Sequence, residues 1–427
     1  MNIKKDNIFG FFLWFGLISL IISPSISTIF SLPRLDTSLM PFYLLLNLSL
    51  MFLYKLERVQ WSFLVYFLLL ISCAFLSLVL NFSFPAFIDV CFFSFFLFLF
   101  LFTGLYTRQN TIVKIRLIIF VLSFLIMIGF FSEILLGIQL VNGNDQLEVS
   151  EGAFKGFFFN TNDQAVVSTS LCAAISFFYI INENRTKIRM FGYMLLMFLG
   201  VVIFVSASRA ALLGYLLTVL LTLFLNSGRL MKIAYVSIFS FFSIFIFDKT
   251  LLIPLLSFLS GFSWLERSID RFQLALFSLD EDNSIGYRTE IYQKFFENAK
   301  VLWLGYGPRN YDSYFKEYPL SYSLGYTNPH SFFIEIYLAF GIFALIIFLL
   351  FLLRSCNFIM LSKLMMTQKI FYFFTIILFS WLVWIPSSIL RLPLVWYPIF
   401  LILIYAISVD QIVIQDSKGK KSDKAFI

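Results

Sequence analysis

Few side chains in this sequence are equipped for chemistry, because most of the chain is apolar. The only histidine, His330, stands in NPHSFFIEIYLAFGI (328–342), where a polar loop meets an apolar run. Imidazole exchanges a proton near neutral pH and so suits general-base work at such a boundary. The plainer reading is a hydrogen-bonded structural histidine. Two arginines accompany it, Arg209 in SASRAALLG (206–214) and Arg288 in IGYRTEIY (285–292). A planar guanidinium is the side chain best matched to phosphate, and two of them could hold a diphosphate. Taken singly, Arg209 reads as well as a snorkelling anchor at a helix end, and Arg288 as a surface charge. Ser206, Ala207, Ser208, Ala210 and Ala211 are small enough to let helices pack closely around Arg209. The acids within or beside apolar runs are Asp89, Glu133, Asp163 and Glu335. Each reads first as an inter-helix hydrogen-bonding group and second as an aid to a hydroxyl nucleophile.

Other patterns carry less. Cys73, Cys91, Cys172 and Cys356 have no C-x-x-C spacing, and with one His they argue against both a metal site and a disulfide framework. Gly305-Tyr306-Gly307 in LGYGPRNY (304–311) lacks the third glycine and the strand-turn-helix setting of a dinucleotide site, and reads as a turn. Asp280-Glu281-Asp282 resembles a metal-dependent sugar-transferase motif but reads as a solvated acidic run. No cofactor and no metal is expected.

The elements that must position these residues are membrane helices. Of the 427 residues 60% are hydrophobic and 13% charged, about half the charge of a soluble domain. Apolar runs near bilayer length predict about twelve spans, at 8–23, 38–54, 61–80, 85–106, 117–140, 163–181, 190–206, 210–226, 233–247, 331–353, 370–389 and 394–408. The first follows Lys4 and Lys5 but has no A-x-A-like cleavage site, so it reads as a retained helix. The segments on one side of such a bundle hold 19 of the 31 Lys and Arg, against four (Arg34, Lys155, Arg209, Arg391) in short loops opposite. The positive-inside rule then puts both termini in the cytoplasm and the long loop 248–329 outside. That loop has apolar stripes at helical spacing in 262–277 and 290–303, which suit helices capping the mouth of the bundle. The expectation is an all-α polytopic protein with a single membrane domain over 1–427, an external cap over 248–329 and a basic cytoplasmic tail over 409–427. The net charge of +7 lies largely in inter-helix loops, where it serves orientation and anionic lipid contact, and no nucleic-acid partner is expected.

Taken in order, FFFNTNDQA (157–165), SASRAALLG, IGYRTEIY, LGYGPRNY and NPHSFFIEIYLAFGI resemble the landmarks of the O-antigen ligase and Wzy-type polymerase superfamily, most strongly over 157–345. The resemblance implies a GT-C-like membrane fold in a bacterial inner membrane and an active site on the external face. The implied donor is an undecaprenyl-diphosphate-linked oligosaccharide, the acceptor a glycan hydroxyl, and a chain-length regulator an implied partner. By the same resemblance Arg209 and Arg288 bind the diphosphate and His330 is catalytic. Glu335, Asp163 and Arg309 are accessory candidates beside them. FFFNTNDQA looks more like polymerase examples than ligases, so polymerase is the first reading and ligase the second. A flippase or transporter is the third, disfavoured by the lack of inverted repeats or paired broken helices. A structural subunit is the last.

The charge asymmetry generates a direct test. Cysteines introduced at Ser278 and Ser422 are expected to react with a membrane-impermeant reagent from opposite sides, and labelling of both from one side would overturn the orientation.

Overall fold

The protein is described from a computed structural model, and the description covers all residues except 1–4, 32–34, 54, 55, 57, 142–153, 229, 234–236, 238–248, 278–282, 299, 309, 322–328, 330, 383–391 and 424–427. Among the described residues the chain is helical and contains no strand. The first eight helices are α1 (Lys5–Phe30), α2 (Leu35–Leu53), α3 (Arg58–Leu78), α4 (Phe84–Tyr106), α5 (Thr111–Ile134), α6 (Thr161–Ile175, continued by a π-helical turn Ser176–Ile181), α7 (Thr186–Val205) and α8 (Arg209–Asn226). Four helices follow in the region expected as a long loop: α9 (Lys249–Ser260), α10 (Ser263–Phe277), α11 (Asn283–Glu297) and α12 (Asp312–Glu317). The chain then returns to the bundle with α13 (Phe332–Leu361), α14 (Met366–Leu382) and α15 (Tyr397–Asp423).

Eight of the described helices are long and apolar enough to cross a membrane. Three shorter apolar helices, Ser38–Met51, Met366–Leu382 and Tyr397–Asp410, coincide with further expected spans. The remaining expected span, 233–247, lies largely outside the described residues. Several boundaries differ from expectation. The first span runs on to Phe30 rather than 23, the fifth ends at Ile134 rather than 140, the tenth runs on to Leu361 rather than 353, and the eleventh begins at Met366 rather than 370 and is described as far as Leu382. The fifth span begins at Thr111 rather than 117, the second amphipathic helix ends at Glu297 rather than 303, and the tail from 409 continues the last helix as far as Asp423.

Two helices form the centre. α4 is buried almost all round and carries nine Phe in 23 residues, so its packing is aromatic. Phe98 meets Tyr43 of α2 at 4.6 Å between ring centroids, Phe100 meets Phe67 of α3 at 5.8 Å, and Phe93 meets Phe340 of α13 at 5.0 Å. Edge and offset contacts of this kind each add about 0.5–1.5 kcal/mol beyond the area they cover. α6 is equally enclosed but built from small and hydroxyl side chains, which let neighbouring backbones approach. Its Thr169 hydroxyl donates to the Ala211 carbonyl of α8 at 3.1 Å, so the two helices touch nearly backbone to backbone.

One end of the bundle is closed by a buried ion pair. Arg116 of α5 donates to Glu183 at 2.6 Å and to the Phe178 carbonyl at 2.8 Å, and the paired side chains are only 9% and 7% exposed. Arg116 can therefore lie inside a helix, which is why the fifth span starts earlier than its charges suggested. Asn182, next to this pair, accepts from Gln368 of α14 at 2.8 Å and from Tyr405 of α15 at 3.2 Å. The π-helical turn ends at this knot, its Phe177 carbonyl accepting from the Asn182 N–H at 2.9 Å.

Hydrogen bonds from Arg185 and Arg116 lower the Glu183 carboxyl from its ordinary 4.5 to about 2, against the opposing pull of burial. Because the folded value is the lower one, its stabilisation is present above pH 4.5 and fades as pH falls toward 2. Glu183→Gln, which leaves Arg116 buried without its anion, is expected to cost roughly 3–5 kcal/mol at neutral pH. Thermal unfolding of the detergent-solubilised protein against pH checks this, with the gap between wild type and variant closing below pH 4.5.

Candidate functional site

The opposite end of the bundle gathers the beginnings of α6, α8 and α13, against which α10, α11 and α12 pack; the segment they belong to is called the cap. The segment before α6 is tied down through its backbone. Glu133, at the end of α5, accepts from the Gly156 N–H at 2.7 Å and from the Lys155 N–H at 3.2 Å. Asn160 then caps α6, accepting from the Asn162 N–H at 2.8 Å, and Asp163 falls half-buried in the first turn. Glu133 thus anchors the loop backbone before α6 rather than bonding to another helix.

Arg209 is the first residue of α8, directly after a turn in which Ala207 takes φ 56°. The spacing of small residues in SASRAALLG explains its placement. Ala211, Gly214 and Thr218 form the buried stripe of α8, and a Cβ on Gly214 would already meet Leu378, Leu382 and Thr169 at 3.2–3.3 Å. Close packing along this stripe fixes the height of α8 and holds Arg209, half-buried, at the cap end.

An arginine that sequence reasoning passed over meets the same hairpin. α10 lies across the α7–α8 turn, with Ser268 donating to the Val205 carbonyl at 3.3 Å and Arg271 Nη1 donating to the Ala207 carbonyl at 3.3 Å. Arg271 is therefore fastened two residues upstream of Arg209. The available signal was the pair Ser268 and Arg271, spaced i, i+3 and flanking the apolar stripe of α10.

Arg288 belongs to a second part of the cap. α11 and α12 share a small aromatic core with the start of α13, made by Ile291, Tyr314, Phe315, Ile334 and Leu338. The Tyr314 hydroxyl closes the end of α11 by donating to the Asn298 carbonyl at 3.0 Å. Arg288 sits half-buried on α11, one turn before Tyr292. Burial pushes the Tyr292 phenol up to about 12 despite the nearby Arg288 charge, so it stays protonated at neutral pH.

The second part is built on a break in α13. Gly341 takes φ 84° and ψ −179° inside this helix, which disrupts its ladder. The loop 302–307 restores the lost bonds. Tyr306 N–H donates to the Leu338 carbonyl at 2.6 Å, Gly307 N–H donates to the Ala339 carbonyl at 3.0 Å, and the Ile342 N–H donates to the Leu302 carbonyl at 2.8 Å. Gly305, at φ 70°, lies so close to the helix that a Cβ would strike the Ala339 backbone. Gly305-Tyr306-Gly307 is thus a turn, as its sequence suggested, and it is also the partner of the broken helix. Lys300 and Tyr306 lock this loop to α12 through Glu317, at 2.7 and 2.8 Å, and these bonds hold the Glu317 carboxyl below its ordinary range.

His330 and Arg309 lie outside the described residues, as do Asp280, Glu281 and Asp282. The residues on either side of His330, Pro329 and Ser331, are both buried, and Ser331 caps α13. Pro329 accordingly precedes the helix rather than occupying its first turn. Glu335 is buried in that first turn. The structure joins Arg271 to the hairpin of Arg209. It places Asp163, Arg288 and Glu335 at the same end on other elements.

Residues 192–349 match the family model described as O-antigen ligase. The match runs from α7 through the hairpin, the cap and the broken helix, and it includes Arg209, Arg271, Arg288 and His330. The search of curated proteins and the search of solved structures each found no match.

The broken helix carries the prediction for this end. An alanine at Gly341 would combine the unfavourable φ with a Cβ driven onto the Trp303 carbonyl, whereas Gly137, at φ 65°, has nothing near it. Gly341→Ala is expected to destabilise by at least ~1–3 kcal/mol in thermal unfolding. Gly137→Ala bears the φ cost alone and is expected to unfold closer to wild type.

Proposed function

Since residues 192–349 match the O-antigen ligase family model in a chain of apolar, membrane-capable helices, we propose that this protein is a membrane glycosyltransferase that moves a glycan from a lipid diphosphate to a hydroxyl. The observation that carries the reading is the placement of two arginines, Arg209 and Arg271, at one hairpin inside the matched segment. In the proposed reaction the donor is an undecaprenyl-diphosphate-linked oligosaccharide at the external face of a bacterial inner membrane. An acceptor hydroxyl oxygen attacks the anomeric carbon, the bond from that carbon to the diphosphate oxygen breaks, and the hydroxyl proton passes to His330. Arg209, Arg271 and Arg288 stabilise the negative charge that grows on the departing diphosphate, as guanidinium groups aimed at developing charge do. The N-terminal end of α8, with its partial positive charge, adds to the same field. Asp163, Glu335 and Arg309 are accessory candidates, and the reaction is proposed to need no metal.

The acceptor in this reading is a second lipid-linked repeat unit, which makes the protein a polymerase, with a chain-length regulator as an expected partner. FFFNTNDQA before α6 supports that choice. A ligase that attaches finished polysaccharide to lipid A-core or protein is the second reading, favoured by the description of the matched family.

Purified full-length protein, lipid-linked donor and acceptor, assayed in chelator, provide the test. His330→Ala is expected to retain donor binding and to lose at least ~10²-fold in transfer, the lower range for a missing general base. Lysine at Arg209 or Arg288 is expected to impair transfer despite keeping the charge, because an ammonium cannot reproduce the planar fork. Near-normal transfer by His330→Ala, or full activity of the Arg209→Lys, Arg288→Lys double variant, would remove those residues from the mechanism. A ladder of lengthened lipid-linked products marks the polymerase, and a single transfer to a different acceptor marks the ligase.

A further inference from the structure

At the cap end two apolar stretches from distant parts of the chain meet at one edge of the bundle. The first is the hairpin between α3 and α4, which belongs to a run with no charged residue between Arg58 and Asp89. Its Val79, Phe82 and Phe84 are 79%, 78% and 71% exposed. The second adjoins the loop that mends α13, where Val301 and Trp303 are 67% and 61% exposed while Leu302 between them is half-buried. Hydrogen bonding and shape join the two. Ser77 Oγ donates to the Leu304 carbonyl, and Gly307 passes so near the hairpin that a Cβ on it would lie 3.1 Å from the Asn81 Cβ.

The neighbour of this edge is indicated by the surface that continues it. The Trp303 ring stands 5.4 Å from that of Phe343 on α13. Phe343 heads an exposed apolar column, followed by Ile346, Leu350 and Leu353, at the spacing of one helix face. Because α13 is long and apolar enough to cross a membrane, such a column is suited to acyl chains, and the edge is its cap-side end. Tryptophan is enriched where a bilayer meets water, its ring being apolar and its N–H able to reach headgroups. We propose that this edge of the cap is sunk into the membrane, with Val79, Phe82, Phe84, Val301 and Trp303 at the boundary between headgroups and acyl chains. Irregular backbone is tolerated at that depth only where protein satisfies its polar groups. The bonds that Leu302, Tyr306 and Gly307 exchange with α13 meet the condition. The proposal does not depend on the reaction assigned above, and it sets the second part of the cap level with the leaflet instead of above it.

The full-length protein in vesicles of phosphatidylethanolamine and phosphatidylglycerol provides the test. Phe82→Cys and Val301→Cys, each in a chain whose four native cysteines are replaced by alanine, are spin-labelled. Each label is exposed to oxygen, which concentrates in the bilayer, and to a water-soluble nickel chelate. Leu350→Cys on the apolar column and Gln293→Cys on the exposed polar face of α11 serve as references. Labels at Phe82 and Val301 are expected to collide severalfold more with oxygen than with nickel, as at Leu350, with the ratio reversed at Gln293. Collision chiefly with nickel at either position would put it in water and overturn the proposal. Low collision with both reagents would overturn it too, since another protein surface would then cover the edge. Trp303→Phe, with the native cysteines kept, is a second measurement that remains decisive if a cysteine variant fails to fold. It is expected to lose part of the tryptophan quenching by lipids brominated near the headgroup end of their chains, and unchanged quenching would overturn the proposal.

Discussion

The architecture of the cap end depends on backbone hydrogen bonding at Gly341. A helix interrupted near a membrane leaves carbonyls that neither lipid nor apolar side chains can satisfy, and each orphaned group costs about 1–3 kcal/mol. The loop 302–307 supplies the missing donors from Tyr306 and Gly307, and takes the Ile342 N–H in return. That exchange pins the loop to α13, and Lys300, Glu317 and Tyr306 pin the loop to α12. The cap is thus built against the break, and the first turns of α13 are free to leave the direction of the span below. Those turns carry Glu335 and follow directly from His330.

The two ends of the bundle treat charge in opposite ways. At one end Arg116 and Glu183 neutralise each other inside the protein, and Asn182 ties the pair to α14 and α15. Such a knot is costly to desolvate and rigid once formed, which suits an end that has only to hold helices together. At the other end Arg271 donates to a backbone carbonyl of the hairpin that leads into Arg209. A carbonyl orients a guanidinium without itself cancelling the charge, so this contact holds Arg271 by direction rather than by neutralisation.

Much of this fold was legible because apolar length is a local property. The membrane-capable helices α4, α6, α7 and α8 fall within a few residues of their expected limits. The departures arise where a distant partner decides. Arg116 reads as a loop residue until Glu183, 67 positions later, offers a carboxylate within the bundle. Leu302 and Trp303 continue an apolar helical stripe in the sequence, yet the chain leaves the helix at Glu297 because the loop is required by the carbonyls of α13. Arg209 was readable from its small neighbours, whereas Arg271 was hidden because nothing in α10 alone indicates which helix end it will cross.

In the proposed reaction the diphosphate is gripped from two separately anchored parts of the cap. Arg209 and Arg271 are fixed to the α7–α8 hairpin through α10, while Arg288 rides on the aromatic core that α11 and α12 share with α13. A ligand that touches both parts favours the arrangement in which they are close, and can do so only to the extent that it binds that arrangement more tightly. Attraction between a diphosphate and opposed guanidinium groups strengthens as water is displaced. Closure over the donor and stabilisation of the leaving group then follow from the same contacts. His330, just ahead of the buried cap residue Ser331, would enter that enclosure with the start of α13. In the proposed reaction the helix break at Gly341 serves the chemistry by letting this turn be positioned by the cap rather than by the membrane span.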